Sequence, residues 1–246
     1  MTNDPTDPHH PEPDSPTTFV RHELKLVLSQ DEALRVVEWC GKRFEFDSHG
    51  DGEGRYDVQT LYLDSPGLEI YHRTGEARGT KFRVRRYGSS ETLWLERKRR
   101  RGSKVNKLRA EWRHDALEAL FSGRAKATGF AGEFQDVVEA RGLRPVLLVT
   151  YPRSAFGGAA GERVTLDWGV KVWKSSPGEG VFDPTGEAAV VTDDVILELK
   201  YDDVAPPAFE ELLALIGRDP ASFSKYGRGV EVVGLAHASR REGDDA

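Results

Sequence analysis

Residues 81–113 read KFRVRRYGSSETLWLERKRRRGSKVNKLRAEWR. Three runs within this stretch alternate: Lys81–Tyr87, Thr92–Lys98 and Asn106–Arg113. In a β-strand, residues two apart share a face. Lys81, Arg83 and Arg85 therefore point one way, and Phe82 and Val84 the other. Trp94, Glu96 and Lys98 oppose Leu93 and Leu95. Lys107, Arg109, Glu111 and Arg113 oppose Leu108, Ala110 and Trp112. Two breaks separate the runs. One is Gly88-Ser89-Ser90, and the other is the cationic segment Arg99–Val105, expected to be a mainly solvated loop. Between Arg73 and Arg113 the chain carries fifteen Lys or Arg against four acids, although the whole protein is formally −6.

The same two-faced pattern recurs elsewhere. In Phe19–Val27, Arg21, Glu23 and Lys25 oppose Val20, His22, Leu24 and Leu26. Arg163, Thr165 and Asp167 oppose Val164 and Leu166. Glu198 and Lys200 oppose Leu197 and Leu199. Tyr56–Asp64 and Arg144–Arg153 read as further strands, and Glu162–Asp167 with Gly169–Trp173 as a broken pair. Ser29 with Glu32 forms a capping box for a helix whose apolar side is Ala33, Leu34, Val36, Val37 and Cys40. Other helical segments are expected at Leu68–Arg73, from an Asp115 cap to Phe121, at Glu133–Ala140, at Pro207–Ile216 and from Ser222 to about Ala238. Residues 1–18, with five prolines and four acids, read as a tail. Residues 239–246 read the same way, leaving one ordered domain at 19–238.

Bulk composition narrows the function. With 38% apolar residues and a mean hydropathy of −0.55, the 246-residue chain can bury a core but has no apolar run near the length of a membrane span. The N-terminus has no basic-then-apolar leader. A single cysteine, Cys40, excludes an internal disulfide and any CxxC metal knuckle, so a cytoplasmic setting is expected. Net acidity argues against a nucleic-acid partner. The positive charge is concentrated, which suits a local anion site.

A single strand with a cationic face is ordinarily a half-exposed strand in water. Repetition weakens that account. Like charges opposite one another on a sheet repel unless an anion or interleaved carboxylates compensate them. A closed antiparallel barrel with a polar lumen brings all these faces together. Its ligand would be a polyanion with dispersed charge, best matched by phosphate chains, since Arg binds phosphate oxygens in pairs and Lys acts as a point charge. Glu23, Glu96, Asp167 and Glu198 share the charged face. They either hold Mg²⁺ or Mn²⁺ together with phosphate, or pair with neighbouring cations. Trp94, by parity, faces the lumen, where it either packs or meets a base.

A set of short motifs occurs in order: Arg21-x-Glu23-x-Lys25, Leu61-Tyr62-Leu63-Asp64-Ser65, Lys81-Phe82-Arg83-Val84-Arg85-Arg86-Tyr87, Leu95-Glu96-Arg97-Lys98, Lys107-Leu108-Arg109, Tyr151-Pro152-Arg153, Arg163-Val164-Thr165-Leu166-Asp167, Leu197-Glu198-Leu199-Lys200 and Ser224-Lys225-Tyr226. Together they resemble the VTC domain, the polyphosphate polymerase branch of the triphosphate tunnel metalloenzymes. The resemblance covers Phe19 to Leu235. It implies an α+β fold, an eight-stranded antiparallel β-barrel tunnel with a polar lumen flanked by helices. It also implies transfer of the ATP γ-phosphate to a growing polyphosphate chain, with a divalent metal, Mn²⁺ or Mg²⁺, as cofactor.

By matching motif, the resemblance implies that Lys25, Arg83, Arg85, Lys98 and Lys200 act at the transferring phosphate. It implies that Lys81, Lys107, Arg109, Arg153, Arg163 and Lys225 hold phosphates. Glu198 would be the principal metal ligand, with Glu23, Glu96 and Asp167 as further candidates. The wider superfamily resembles Glu-x-Glu-x-Lys in its first strand, whereas here the first position is Arg21. That departure fits a polymerase better than a hydrolase, although Glu23 remains. A tunnel triphosphatase and a non-catalytic polyphosphate-binding module are the alternatives. Eukaryotic members carry membrane helices, which this chain lacks, so any membrane partner would be a separate polypeptide.

Overall fold

The computed structural model describes residues 17–48, 50–75, 78–124, 127–176 and 181–236. The expected tails lie outside these residues, except that the first strand starts earlier, at Thr17. The strands are β1 (Thr17–Leu28), β2 (Glu45–Phe46), β3 (Arg55–Asp64), β4 (Thr80–Tyr87), β5 (Thr92–Arg101), β6 (Lys104–Arg113), β7 (Arg144–Gly157), β8 (Arg163–Asp167), β9 (Val170–Lys174), β10 (Ala189–Thr192) and β11 (Val195–Tyr201). The helices are α1 (Gln30–Gly41), α2 (Glu69–His72), α3 (Leu117–Phe121), α4 (Gly129–Ala140), α5 (Pro207–Ile216) and α6 (Lys225–Val232).

Eight strands close an antiparallel barrel in the order β7-β3-β4-β5-β6-β1-β11-β8, with β8 returning to β7. Closure follows from the length of β7, which runs through fourteen residues. Along one edge, its first half pairs with β9 (Leu147↔Lys174 to Thr150↔Lys171) and its second half with β8 (Arg153↔Asp167 to Gly157↔Arg163). β8 and β9 are therefore not partners of each other, contrary to the expectation for Glu162–Trp173. They lie end to end on β7. Pro152, which has no N–H, sits between the two registers, and its carbonyl accepts the Trp168 amide at 2.9 Å. Gly169, at φ 47°, then turns the chain into β9.

The Arg99–Val105 segment also departs from expectation. It is a hairpin rather than a loop: β5 runs to Arg101, β6 starts at Lys104, and Arg100 pairs with Val105. Only Gly102-Ser103 forms the turn, with Gly102 at φ 59°. Strand geometry sends consecutive cations to opposite faces, so the charge run does not prevent pairing. Asp115 does not cap a helix side-chain to backbone. It pairs with Arg113, and a short 3-10 turn at His114–Ala116 leads into α3. The capping box of α1 forms as expected, with Glu32 N–H donating to Ser29 and Ser29 N–H to Glu32.

The apolar faces of the strands point outward and are covered by helices. Ala33, Val36 and Cys40 of α1 and Phe209 and Leu212 of α5 pack on Leu26, Leu166, Leu197 and Leu199. Burial there pushes the Cys40 thiol up to about 12, so it is a packing residue. On the other side, Phe130 and Phe134 of α4 and Tyr226 and Val230 of α6 join Leu61, Val84, Leu93 and Leu95. With the apolar faces buried outside, the polar faces are left to line the inside.

Candidate functional site: a cation-lined tunnel

The barrel encloses a cavity of about 990 Å³. Lys25, Lys81, Arg83, Arg85, Lys98, Lys107, Arg109, Arg153, Arg163, Lys200 and Lys225 all line it, as do Glu23 and Glu198. Glu96 and Asp167 sit behind this lining and are fully buried. The in-register pairs show how the cations come together. Lys98 lies between Lys81 of β4 and Lys107 of β6, and Glu96 lies between Arg83 and Arg109. Lys25 faces Glu198 across β1 and β11.

Each of the four carboxylates is held by cations. Lys98 Nζ donates to Glu23 at 2.7 and 3.1 Å, and Lys25 Nζ lies 3.0 Å from it. Glu198 accepts from Lys25 at 2.6 Å and pairs with Lys200 at 2.7 Å, with Arg153 and Lys225 each at 3.8 Å. Arg83 Nε donates to Glu96 at 2.6 Å, and Lys107 reaches it at 3.1 Å. Arg153 is bidentate to Asp167 at 2.6 and 2.9 Å, and Lys225 closes to 2.6 Å. Burial alone would raise these carboxyls. The cations outweigh it, chiefly Lys98 for Glu23, Arg83 for Glu96, Arg153 for Asp167 and Lys200 for Glu198, and all four are lowered.

Of the eleven expected cations named above, three have no carboxylate partner among the described residues. Lys81 Nζ donates to Ser224 Oγ at 2.8 Å. Arg85 donates to Thr60 Oγ1 at 3.2 Å and Tyr151 Oη at 3.4 Å. Arg109 lies 4.0 Å from the Trp94 ring centroid, and its Nε is buried without a hydrogen bond. Burial, then the nearby Lys25 and Lys98, push the Lys81 ammonium well below its usual range. Burial, aided by Arg153 and Arg163, brings Lys200 down to about 7 against the pull of Glu198. Lys25 is raised: Glu198 and Glu23 outweigh the cost of its burial.

Arg163 is the one candidate drawn to the rim. It pairs with Asp47 and donates to Tyr56 Oη at 2.8 Å. Arg97 lies outside the barrel as parity indicates, over Phe130 and 3.7 Å from Glu133. Arg101, which shares the parity of Arg97, instead lines the cavity with Arg100. Thr60, Thr165, Tyr151 and Ser224 also serve the site; of these, parity places only Thr165 on the charged face. Thr60 is fully buried and faces Arg85 across β3 and β4, which only the strand pairing reveals. Arg21, at the position where the first superfamily carboxylate would stand, turns to Asp202 at 3.2 Å.

No three His, Cys, Asp or Glu side chains converge on one point among the described residues. The donor set therefore suits a divalent ion held jointly by one or two carboxylates and the oxygens of a bound phosphate, as Mg²⁺ commonly is. Glu23 and Glu198, both lining the cavity and sharing Lys25, are the carboxylates so placed.

The model of the VTC domain family matches residues 20–234. No curated protein matches the chain. Among solved structures, a candidate adenylate cyclase from Bacillus halodurans superposes with a TM-score of 0.56 at 11% identity, covering 84% of this chain and 95% of that one. A candidate adenylyl cyclase from Hippeastrum, described as having a dominant triphosphatase activity, gives 0.50 at 13% identity over 84% and 93%. Both share the tunnel fold. No helix among the described residues is long and apolar enough to cross a membrane.

Proposed function

Because this chain belongs to the VTC domain family, we propose that it is a metal-dependent polyphosphate polymerase that passes the ATP γ-phosphate to the end of a polyphosphate chain. The observation that carries this reading is the enclosed excess of cations: Glu23, Glu96, Asp167 and Glu198 are each already paired with cations, while Lys81, Arg85 and Arg109 have no carboxylate partner among the described residues. An anion with charge spread along its length completes that lumen.

In the reaction, a terminal phosphate oxygen of the chain attacks the γ-phosphorus, the bond to the β–γ bridging oxygen breaks, and ADP leaves. Lys25, Arg83, Arg85, Lys98 and Lys200 hold the transferring group and neutralise its oxygens. Lys81, Lys107, Arg109, Arg153, Arg163 and Lys225 hold the flanking phosphates. Placement and charge neutralisation supply most of the rate in such transfers. Glu96 fixes Arg83 and Lys107, and Asp167 fixes Arg153 and Lys225. The chemistry a divalent ion supplies, held by Glu198 and Glu23, is further neutralisation of the phosphate oxygens.

A second reading, hydrolysis of triphosphate, is favoured by the retained Glu23. Incubation with ATP and Mn²⁺, resolved on a gel for long phosphate chains, tests the two. Chains with ADP are the expected products. Orthophosphate alone would replace the polymerase reading with the hydrolytic one.

A further inference from the structure

Among the described residues, Trp94 is the only tryptophan lining the lumen, beside smaller aromatics such as Phe19, Tyr87 and Tyr151. Trp94 lies on the inward face of β5, half-buried and lining the cavity. Its apolar neighbours Leu93 and Leu95 are fully buried outside the barrel. Trp94 stands in register with Arg85 on β4 and Glu111 on β6. The Arg109 guanidinium lies 4.0 Å from its ring centroid and 5.2 Å from that of Phe19, so Arg109 is sandwiched between the two aromatics. Arg109 Nε is buried with no hydrogen-bond partner among the described residues, and a guanidinium over an aromatic face is attracted by the ring's π-electrons.

Position along the strand supplies the second half of the argument. The inward residues of β5 run Trp94, Glu96, Lys98. At about 3.3 Å per residue, Trp94 stands roughly 13 Å from Lys98 along the strand. On β4, Arg85 stands level with Trp94, Arg83 level with Glu96 and Lys81 level with Lys98. A flat apolar surface therefore terminates a row of cations, and an inorganic phosphate chain has no group to place on it. A nucleoside triphosphate does, because every base offers a π-face.

We propose that Trp94, steadied by Arg109, is a nucleobase platform, with the base stacked on the indole face that Arg109 leaves uncovered and the triphosphate running along Arg85 and Arg83 toward Lys98. Glu111, across from Trp94, adds a hydrogen-bond acceptor at the level of the base or ribose. The inference rests on the reading of the tunnel as a triphosphate site. It adds that the donor end is distinguished from the inorganic polyphosphate product by stacking.

Calorimetry on the full chain with ATP and with inorganic tripolyphosphate tests this. Trp94→Ala weakens ATP binding about tenfold, within the range of base–aromatic stacking, and leaves tripolyphosphate affinity within about twofold. Trp94→Phe, which keeps an aromatic face and guards against misfolding of the alanine variant, restores most of the ATP affinity. Equal loss for both ligands, or no loss for ATP, overturns the platform while leaving the triphosphate site intact. If the unaltered protein binds neither ligand, the tunnel reading itself fails and the platform with it.

Discussion

Tyr226, on α6, donates its phenolic hydroxyl to the carboxylate of Asp64 at the end of β3. Asp64 is fully buried, and also accepts the backbone N–H groups of Ser65 at 2.8 Å, Ile70 at 2.9 Å and Tyr71 at 3.0 Å. One carboxylate thus ties both α2 and α6 to the barrel. The residue before Tyr226 is Lys225, which reaches Asp167 inside the lumen. Tyr226→Phe removes one of the four donors and is expected to cost about 1.5–3 kcal/mol, the range for a hydrogen bond to a charged group. Asp64→Ala strands the amides of Ile70 and Tyr71 as well and costs more. Urea unfolding of the two variants checks the order. An unchanged midpoint for both would mean the contact does not anchor α6.

Arg83 and Arg85 are two residues apart on one strand, yet their replacement has different consequences. Arg83 neutralises the fully buried Glu96. Arg83→Gln leaves that carboxylate with Lys107 alone and is expected to destabilise by about 3–5 kcal/mol. Among the described residues, Arg85 donates to Thr60 and Tyr151, lies over the Tyr87 ring and has no ion pair. Arg85→Gln removes a buried cation without exposing an acid, so stability is kept or rises while tripolyphosphate affinity falls about ten- to a hundredfold, the value of a charge-assisted hydrogen bond. Denaturation and calorimetry on the same two variants separate the roles. Equal effects on both observables would contradict the pairing.

Glu198 is the counter-charge for Lys25 and Lys200, with Arg153 and Lys225 nearby. Glu198→Gln leaves these cations facing one another and is expected to lower stability by about 3–5 kcal/mol. Added tripolyphosphate supplies the missing negative charge. Its effect on the melting temperature is therefore larger in the variant than in the unaltered protein, whereas any stabilisation by Mn²⁺ is lost. A thermal melt in each condition reads both. Undiminished Mn²⁺ stabilisation in the variant would remove Glu198 from the metal site.

The barrel was legible because its strands have two faces of opposite character. Lys81, Arg83 and Arg85 against Phe82 and Val84 fix which side is inward, and one face must be buried outside. The lumen cations followed from that parity and from motif order. Partnership was not legible. Nothing local distinguishes Arg83, committed to Glu96, from Arg85, which has no acid, because strand register is set by pairing across the sheet. The Arg99–Val105 run was misread because a block of cations resembles a solvated loop, while hairpin pairing needs only alternate faces and Gly102. Asp64 and Tyr226 are 162 positions apart, and their contact depends on where α6 docks.

Lys200 gives the tunnel a pH dependence with a definite sign. Burial lowers its ammonium from the usual 10.5 to about 7. Below pH 7 the side chain is charged in both the folded and unfolded chains, and the penalty of its burial is fully present. Between pH 7 and 10.5 the unfolded chain holds more protons, so this group's contribution makes stability rise with pH. A bound triphosphate reverses the local field and favours the charged form. At about pH 8.5 binding is therefore accompanied by uptake of nearly one proton at Lys200, on top of any taken up by Lys81, whose ammonium is also lowered. Calorimetry in two buffers of different ionisation enthalpy measures the uptake. Lys200→Gln is expected to reduce it by about one proton, and the ligand's own titration cancels in the comparison. Identical uptake in the two proteins would mean that Lys200 does not change its protonation state on binding, contrary to this expectation.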